Sequence, residues 1–357
     1  MAFAGGEQEE VGPKKRESQI LADCKTLEDM KLPLPAAGAL VATCLSIAHA
    51  EQQPFDAWLQ DFRSAALAAR ISPAIVDAAL TGLTPLEQVI ERDRAQPEFT
   101  LDFRGYLTRV VSPSRIEEGQ RVLAEHGELL RNVGQRYGMP PELLAAVWGI
   151  ESNYGRTQGD FPVVQAVATL AYDGRRGPMF RRELLNALRI LDQGHVQLDA
   201  MKGSWAGAMG QLQFMPSTFI DYAKDGDGDG RKDIWGSAAD ALESAANFMS
   251  SNWKPGLRWG RQVKVPAKFN TSLAGLERTR TLAQWRALGV RLPSGEALPR
   301  ENVRASIIFP DKGTREPAFL VYQNYRALLR WNRSHFFALA VGHLADRIAG
   351  GPPLTGF

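Results

Sequence analysis

A series of proline-opened apolar periods constrains this chain more than any other feature. From Pro54 to about Gly138 the pattern is helical, with Phe55, Trp58, Leu59 and Phe62 recurring at spacings of three and four on one face. Ser72-Pro73, Thr84-Pro85 and Ser112-Pro113 each set a capping hydroxyl before a proline at the first helical position. The Ser112 device opens a helix expected to run toward Gly134, and Pro140-Pro141 opens another from Glu142 to roughly Ser152. Glycine and aromatic residues then interleave with short helices as far as Trp253. Val263-Lys264-Val265, Ala305-Ser306-Ile307-Ile308-Phe309 and Phe319-Leu320-Val321-Tyr322 are short β-prone runs between Pro and Gly turns. Helical spacing returns from Asn324 to Ile348 until Gly350, Pro352 and Pro353 end it. The expected fold is mainly α, with a small antiparallel β insertion.

Composition excludes several functional classes. With 44% hydrophobic and 23% charged residues, the 357-residue chain is a soluble globular protein with room for two or three domains. A net charge of +2 lacks the basic footprint of a nucleic-acid binder. Two cysteines are too few for a disulfide scaffold or a four-thiolate zinc site.

The first fifty residues stand apart. Residues 1–29 are polar and show no apolar period, and are read as a disordered upstream extension of the frame, with Met30 the more natural start. Met30-Lys31, an apolar run from Leu32 to Ile47 and Ala48-His49-Ala50 form the layout of a secretory signal peptide over 30–50. The run is short of a membrane span and contains Pro33 and Pro35. The alternative is a genuine tail followed by an internal anchor. Lipid attachment at Cys44 is disfavoured by Thr43, larger than the usual Gly or Ala before such a cysteine. Cleavage after Ala50 would remove both cysteines with five basic and seven acidic residues, leaving a net charge of +4 suited to an anionic wall or membrane.

Chemistry enters at Glu151. Leu144, Val147 and Trp148 share a helical face that Glu151 continues, so its carboxylate emerges at the C-terminal end of an apolar stripe. Desolvation and the negative end of the helix dipole both raise a carboxyl pKa there. Hydrophobic seating of this kind makes a glycosidase carboxyl a general acid. Ser152-Asn153-Tyr154-Gly155 follows as a sharp polar exit. Downstream, Gly203-Ser204-Trp205-Ala206-Gly207-Ala208-Met209-Gly210-Gln211 offers a backbone that another chain can approach closely, and Gln211 and Gln213 offer amides suited to sugar hydroxyls. A tightly packed loop without function is the competing reading of that segment.

Glu151-Ser152-Asn153-Tyr154-Gly155, followed some fifty residues later by the Gly-Ala-Met-Gly-Gln segment, resembles the lytic transglycosylase and goose-type lysozyme superfamily. More narrowly it resembles the membrane-bound lytic transglycosylase B family. Asp93-Arg94-Ala95-Gln96-Pro97-Glu98-Phe99, Ala168-Thr169-Leu170-Ala171-Tyr172-Asp173, Asn324-Tyr325 and Trp331-Asn332-Arg333-Ser334 extend the resemblance over nearly all of 54–350. It implies a helical N-terminal domain (51–139), a lysozyme-like catalytic core (140–254), a small β domain (255–322) and a C-terminal helix returning to the core (323–357). It also implies periplasmic cleavage of the β-1,4 bond between N-acetylmuramic acid and N-acetylglucosamine, leaving 1,6-anhydromuramoyl ends. Glu151 would act alone, first as acid and then as base, with no catalytic cofactor. Ser152, Ser204 and Gln211 would line the groove and Gln96 would reach it from the N-terminal domain. Asn324 and the aromatics Tyr172, Tyr222 and Tyr325 are candidate substrate contacts, with core packing the alternative for each aromatic. The partner is the glycan strand, and cell-wall synthesis or remodelling proteins are candidate protein partners. A water-using lysozyme would want a second carboxylate, for which Asp160 and Asp173 are nearest in sequence, although Asp173 is more simply expected to pair with Arg175 or Arg176. A binder without turnover is the third possibility, and a costly buried acid argues against it.

A separate signal lies at Asp225-Gly226-Asp227-Gly228-Asp229-Gly230-Arg231-Lys232-Asp233. Asp225, Asp227, Asp229 and Asp233 fall at positions 1, 3, 5 and 9 of an EF-hand-type loop, with the Arg231 carbonyl at 7 and glycine at 6. Gly236 stands at position 12, where a bidentate Glu belongs, so coordination is expected to be weak unless Asp240 or water completes it. The expected ion is a structural Ca2+ that braces the loop; a metal-free acidic turn is the alternative.

Overall fold

The computed structural model describes residues 53–95 and 101–356. The expected extension (1–29), the signal segment (30–50) and Gln96 lie outside the described residues. Among the described residues six helices come first: α1 (Phe55–Ala68), α2 (Pro73–Leu80), α3 (Glu87–Arg94), α4 (Phe103–Val110), α5 (Pro113–Glu125) and α6 (Gly127–Tyr137). Then follow α7 (Pro141–Ser152), α8 (Val163–Asp173), α9 (Gly177–Asp192), α10 (Pro216–Tyr222) and α11 (Ala238–Ser250), with the two-residue strands β1 (Phe161–Pro162) and β2 (Lys202–Gly203) among them. The β insertion holds β3 (Gly260–Val263), β4 (Arg280–Thr281), α12 (Leu282–Ala287), β5 (Arg304–Ile308) and β6 (Ala318–Val321). The chain closes with α13 (Gln323–Trp331) and α14 (His335–Ile348). The mainly helical expectation with a small antiparallel sheet agrees with this order.

Three boundaries differ from the sequence reading. The helix opened by Ser112 breaks at His126, whose φ of −108° and ψ of 17° end α5 and begin α6. The helix after Thr84-Pro85 starts two residues later than expected: Leu86 is the cap, and the Thr84 carbonyl accepts from Gln165 Nε2. The C-terminal helix is two helices, since Ser334 caps a new start by accepting from the Phe337 N–H at 3.3 Å. β4 and α12 carried no signal long enough to be read.

At the centre lies α7. Leu143 to Gly149 are buried without interruption, so this helix is apolar all round, as a core helix must be. It packs against α14, α5, α6 and α11. α3 is pinned to the start of α9 by Asp93, which is buried and accepts from both Arg175 and Arg176 at 2.6 Å. Those hydrogen bonds outweigh the burial and hold the Asp93 carboxyl below the usual carboxylate range.

The four-stranded antiparallel sheet, in order β3-β6-β5-β4, divides two cores. Alternation along its central strands sends Phe319, Val321 and Ile308 into the helical body. Ala318, Leu320, Ala305 and Ile307 face the other way, onto Trp285 and Val290. Both faces are therefore buried, and the insertion is welded to the helices rather than tethered. No helix among the described residues is long and apolar enough to cross a membrane. Phe319, fully buried and edge-on to Phe103 at 5.6 Å, carries the weld. Phe319→Ala is expected to lower stability by about 3–5 kcal/mol in urea unfolding; a loss under about 1 kcal/mol would show that this face is loosely packed.

Candidate active site

The helix α7 ends in an abrupt reversal. Asn153, Tyr154 and Gly155 follow one another at φ of 52°, 59° and 82°, a left-handed run that two non-glycine residues enter only when held. Tyr154 supplies the hold: its ring lies edge-on to Trp148 at 6.0 Å and its hydroxyl donates to the Arg115 carbonyl at 2.9 Å. Gly149 makes the room, since a Cβ there would fall 2.5 Å from the Tyr154 ring. Glu151 is thus the last acidic group before a fixed corner.

Its environment sets its acidity. Burial raises the Glu151 carboxyl to about 7, opposed by a hydrogen bond from Trp331. The Trp331 indole N–H donates to Glu151 Oε1 at 2.6 Å. Among the described residues no carboxylate contributes to the shift. Trp331 ends α13 and is fixed between Phe214 and Phe248, at ring separations of 5.4 and 5.1 Å. Close enough to Glu151 to feel its charge stands Tyr106 of α4, packed on Phe336 at 5.6 Å. Its hydroxyl is pushed up to about 12, first by burial and then by the charge of Glu151. Sequence reading missed the roles of Trp331 and Tyr106. The first was within reach, inside the quoted Trp331-Asn332-Arg333-Ser334 stretch; nothing along α4 singled out the second.

The glycine-rich segment is bound to the same corner. Ser152 Oγ donates to the Gln211 carbonyl at 2.6 Å and accepts from the Gly155 N–H at 2.9 Å. Gln211 Oε1 accepts from the Trp148 indole at 2.9 Å, and its Nε2 donates to the Trp235 carbonyl at 3.2 Å. Both side chains are buried, so they brace the corner from within. The close approach that the glycines permit comes from the protein's own backbone: a Cβ on Gly210, at φ 65°, would meet the Ile234 carbonyl oxygen at 2.7 Å. Ser204 closes the loop by accepting from the Ala208 N–H at 3.1 Å. Phe214, further along, is the residue that meets Trp331.

The remaining predicted contacts scatter. Tyr222 lies edge-on to Phe248 at 4.9 Å and receives a hydrogen bond from Arg330, which places it beside the Trp331 cluster. Tyr325 is fully buried, stacked on His335 with its hydroxyl 2.8 Å from Nδ1. Asn324, also fully buried, clasps the 254–257 turn through the Lys254 N–H and the Lys254 and Leu257 carbonyls. Tyr172 packs on Phe55 and Trp58 of α1 and donates to the Gln53 carbonyl at 3.0 Å. Asp160 is exposed. Asp173 pairs with Arg94 at 2.8 Å and not with Arg175 or Arg176, because Asp93 takes both of those.

In the acidic loop, carboxylate oxygens of Asp225, Asp227 and Asp229 converge to within 4.8 Å of one another on the surface. Hard oxygens gathered so closely suit a divalent cation. Asp233 stands outside this trio, accepting from the Trp235 and Gly236 N–H groups at 3.0 and 2.8 Å. The Arg231 side chain folds onto Asp229 at 3.0 Å. Asp240, fully buried, holds the loop through the N–H groups of Gly226, Asp227 and Asp233.

A raised carboxyl leaves a thermodynamic signature. Folded Glu151 keeps its proton up to about 7, whereas the unfolded chain releases it near 4.5. The contribution is complete below the lower value and is lost as pH rises through the upper one. Glu151→Gln, which cannot ionise, is expected to be more stable than wild type at pH 8 by about 3 kcal/mol and to show no such gain at pH 4. Equal melting temperatures at both pH values would refute the buried-acid assignment.

Comparisons with known proteins agree on one family. Residues 54–346 match the family described as Transglycosylase SLT domain. Membrane-bound lytic murein transglycosylase B of Escherichia coli is 32% identical over 253 residues, spanning 68% of this chain and 66% of the relative. SltB3 from Pseudomonas aeruginosa, solved with NAG-anhNAM-pentapeptide, superposes with a TM-score of 0.82 at 45% identity, covering 85% of this chain and 82% of that one. The lytic transglycosylase Slt35 of Escherichia coli, solved with calcium, gives 0.70 at 26% identity, covering 82% and 92%. The chain belongs to the Transglycosylase SLT domain family, that of the lytic murein transglycosylases.

Proposed function

We propose that this protein is a peptidoglycan lytic transglycosylase in which Glu151 is the single acid and base. Family membership supports the activity. The observation that carries the mechanism is a carboxyl raised to about 7 with an indole N–H and, among the described residues, no second carboxylate acting on it. At neutral pH roughly half of such groups carry the proton needed to protonate the glycosidic oxygen. The C1–O4 bond breaks, O4 leaves with the Glu151 proton, and the muramoyl acetamide bears the positive charge at C1. The ionised carboxylate, steadied by the Trp331 N–H, accepts the proton of the muramoyl C6 hydroxyl as that oxygen bonds to C1. The product is a 1,6-anhydro end, and Glu151 regains its starting state without water. Tyr106 keeps its proton throughout the neutral range and adds no charge to the site.

The substrate reading draws on SltB3, solved with NAG-anhNAM-pentapeptide and with NAG-NAM-pentapeptide. Action on the wall places the protein outside the cytoplasm, with residues 30–50 as the export signal to the periplasm. Cell-wall synthesis or remodelling proteins are the protein partners that this location offers. The acidic loop is read as a structural Ca2+ site, with Asp225, Asp227 and Asp229 as ligands; the calcium-bound Slt35 supports this.

Mass spectrometry of digested murein tests the mechanism. Wild type is expected to release anhydro-ended products, with activity falling as pH rises through about 7. Trp331→Phe is expected to move that alkaline limb upward and lower the maximum, and Glu151→Gln to abolish product while retaining glycan binding. Reducing ends would identify a water-using muramidase instead. For the loop, saturating Ca2+ at about 100 times its Kd is expected to stabilise wild type by about 2.7 kcal/mol, read as a rise in melting temperature. The rise is expected to vanish in Asp225→Ala; wild type melting identically in Ca2+ and in chelator would remove the metal.

A further inference from the structure

Three helices bring their C-terminal ends to Arg330. Tyr222 is the last residue of α10, Ser251 is the cap of α11, and Arg330 and Trp331 close α13. Each end carries the negative pole of its helix, where a cation is favoured. Arg330 Nη2 donates to the Tyr222 hydroxyl, and Nη1 donates to the Ser251 hydroxyl and, more weakly, to the Phe248 carbonyl at 3.5 Å. The guanidinium carbon stands 5.1 Å from the centre of the Tyr222 ring and 5.0 Å from that of Phe248. Among the described residues Arg330 forms no ion pair. An exposed arginine at a helix end is ordinarily solvated; this one directs its donors to neutral groups and its plane to two rings.

Phe248 passes the restraint on toward the acid. Its buried ring lies edge-on to Tyr222 at 4.9 Å and edge-on to Trp331 at 5.1 Å. Phe214 meets the same indole at 5.4 Å and Phe248 at 5.9 Å. Trp331 is itself only half-buried, so these ring contacts fix its angle. The angle matters because the indole N–H reaches Glu151 Oε1 at 2.6 Å, and a hydrogen bond weakens steeply as it departs from linear. The charge of Arg330 does not itself act on the Glu151 carboxyl, whose ionised form is favoured by the Trp331 N–H. An unbroken series of contacts thus runs from Arg330 through Phe248 and Trp331 to Glu151.

We propose that Arg330 is a positioning residue for the reaction: through Phe248 it holds the Trp331 indole at the angle from which its N–H supports the Glu151 carboxylate. The proposal deepens the reading of Glu151 as acid and base and rests on it. Carbon-13 NMR titration of the Glu151 carboxyl in the full chain, without substrate, tests it apart from turnover. Arg330→Met, which keeps a long stem and loses the guanidinium, is expected to raise the midpoint by about half a pH unit. Tyr222→Phe, which removes one acceptor and keeps the ring, is expected to move it the same way by less. Arg330→Lys, still a cation over both rings, is expected to restore most of the wild-type midpoint. In a Trp331→Phe background, which has no indole N–H, neither Arg330 variant is expected to shift it further. On murein, Arg330→Met is expected to displace the alkaline limb of kcat upward by the same amount with KM unchanged. An unmoved midpoint in Arg330→Met, an equal shift with and without the indole, or a raised KM with kcat unchanged would overturn the proposal. Midpoints that move as expected in a protein that cleaves no murein would sink the lytic activity and leave the positioning role standing.

Discussion

One proton on Glu151 organises this molecule. Its carboxyl is desolvated at the end of a helix that is buried on every side, and among the described residues the one interaction favouring its ionised form is the Trp331 N–H. Burial supplies the reluctance to ionise, and the indole keeps the anion accessible once it forms. Either alone would be a poorer catalyst. Without the indole the acid would hold its proton more tightly and donate it less readily, and without burial it would be an ordinary surface glutamate.

Holding that balance requires parts far apart in sequence to meet. Trp331 lies 180 residues downstream of Glu151 and reaches it because α13 follows the β insertion directly. The insertion is fixed to the helical body through Phe319, Val321 and Ile308, so the start of α13 is set by the sheet. From the other side, the 203–215 segment supplies Phe214 to position the indole and Gln211 to lock the corner. The left-handed run at Asn153 and Tyr154 belongs to the same arrangement. It is strained in isolation and is kept by the Trp148–Tyr154 contact and by the absence of side chains at Gly119 and Gly149.

Much of this was legible in the sequence. The α7 period, the carboxylate at its end, the polar exit and the β-prone runs are local patterns, and local patterns fixed the helix, its acid and the sheet. The acidic loop was readable for the same reason, down to the departure at Gly236. What escaped was long-range. Nothing along α4 marks Tyr106 as a neighbour of Glu151, and a tryptophan at a helix end does not announce its acceptor. Ser152 and Gln211 illustrate the converse: a polar residue beside a catalytic acid reads as a substrate contact, whereas here their side chains brace the scaffold. Asn324 and Tyr325 likewise went inward, where their hydrogen bonds are satisfied by the 254–257 turn and by His335.

The acidity of Glu151 can be read directly. Carbon-13 NMR of the side-chain carboxyl, assigned by comparison with Glu151→Gln, follows its titration in the folded protein. A midpoint near 7 is expected for Glu151. A midpoint near 4.5, the ordinary value for a solvated glutamate, would contradict it.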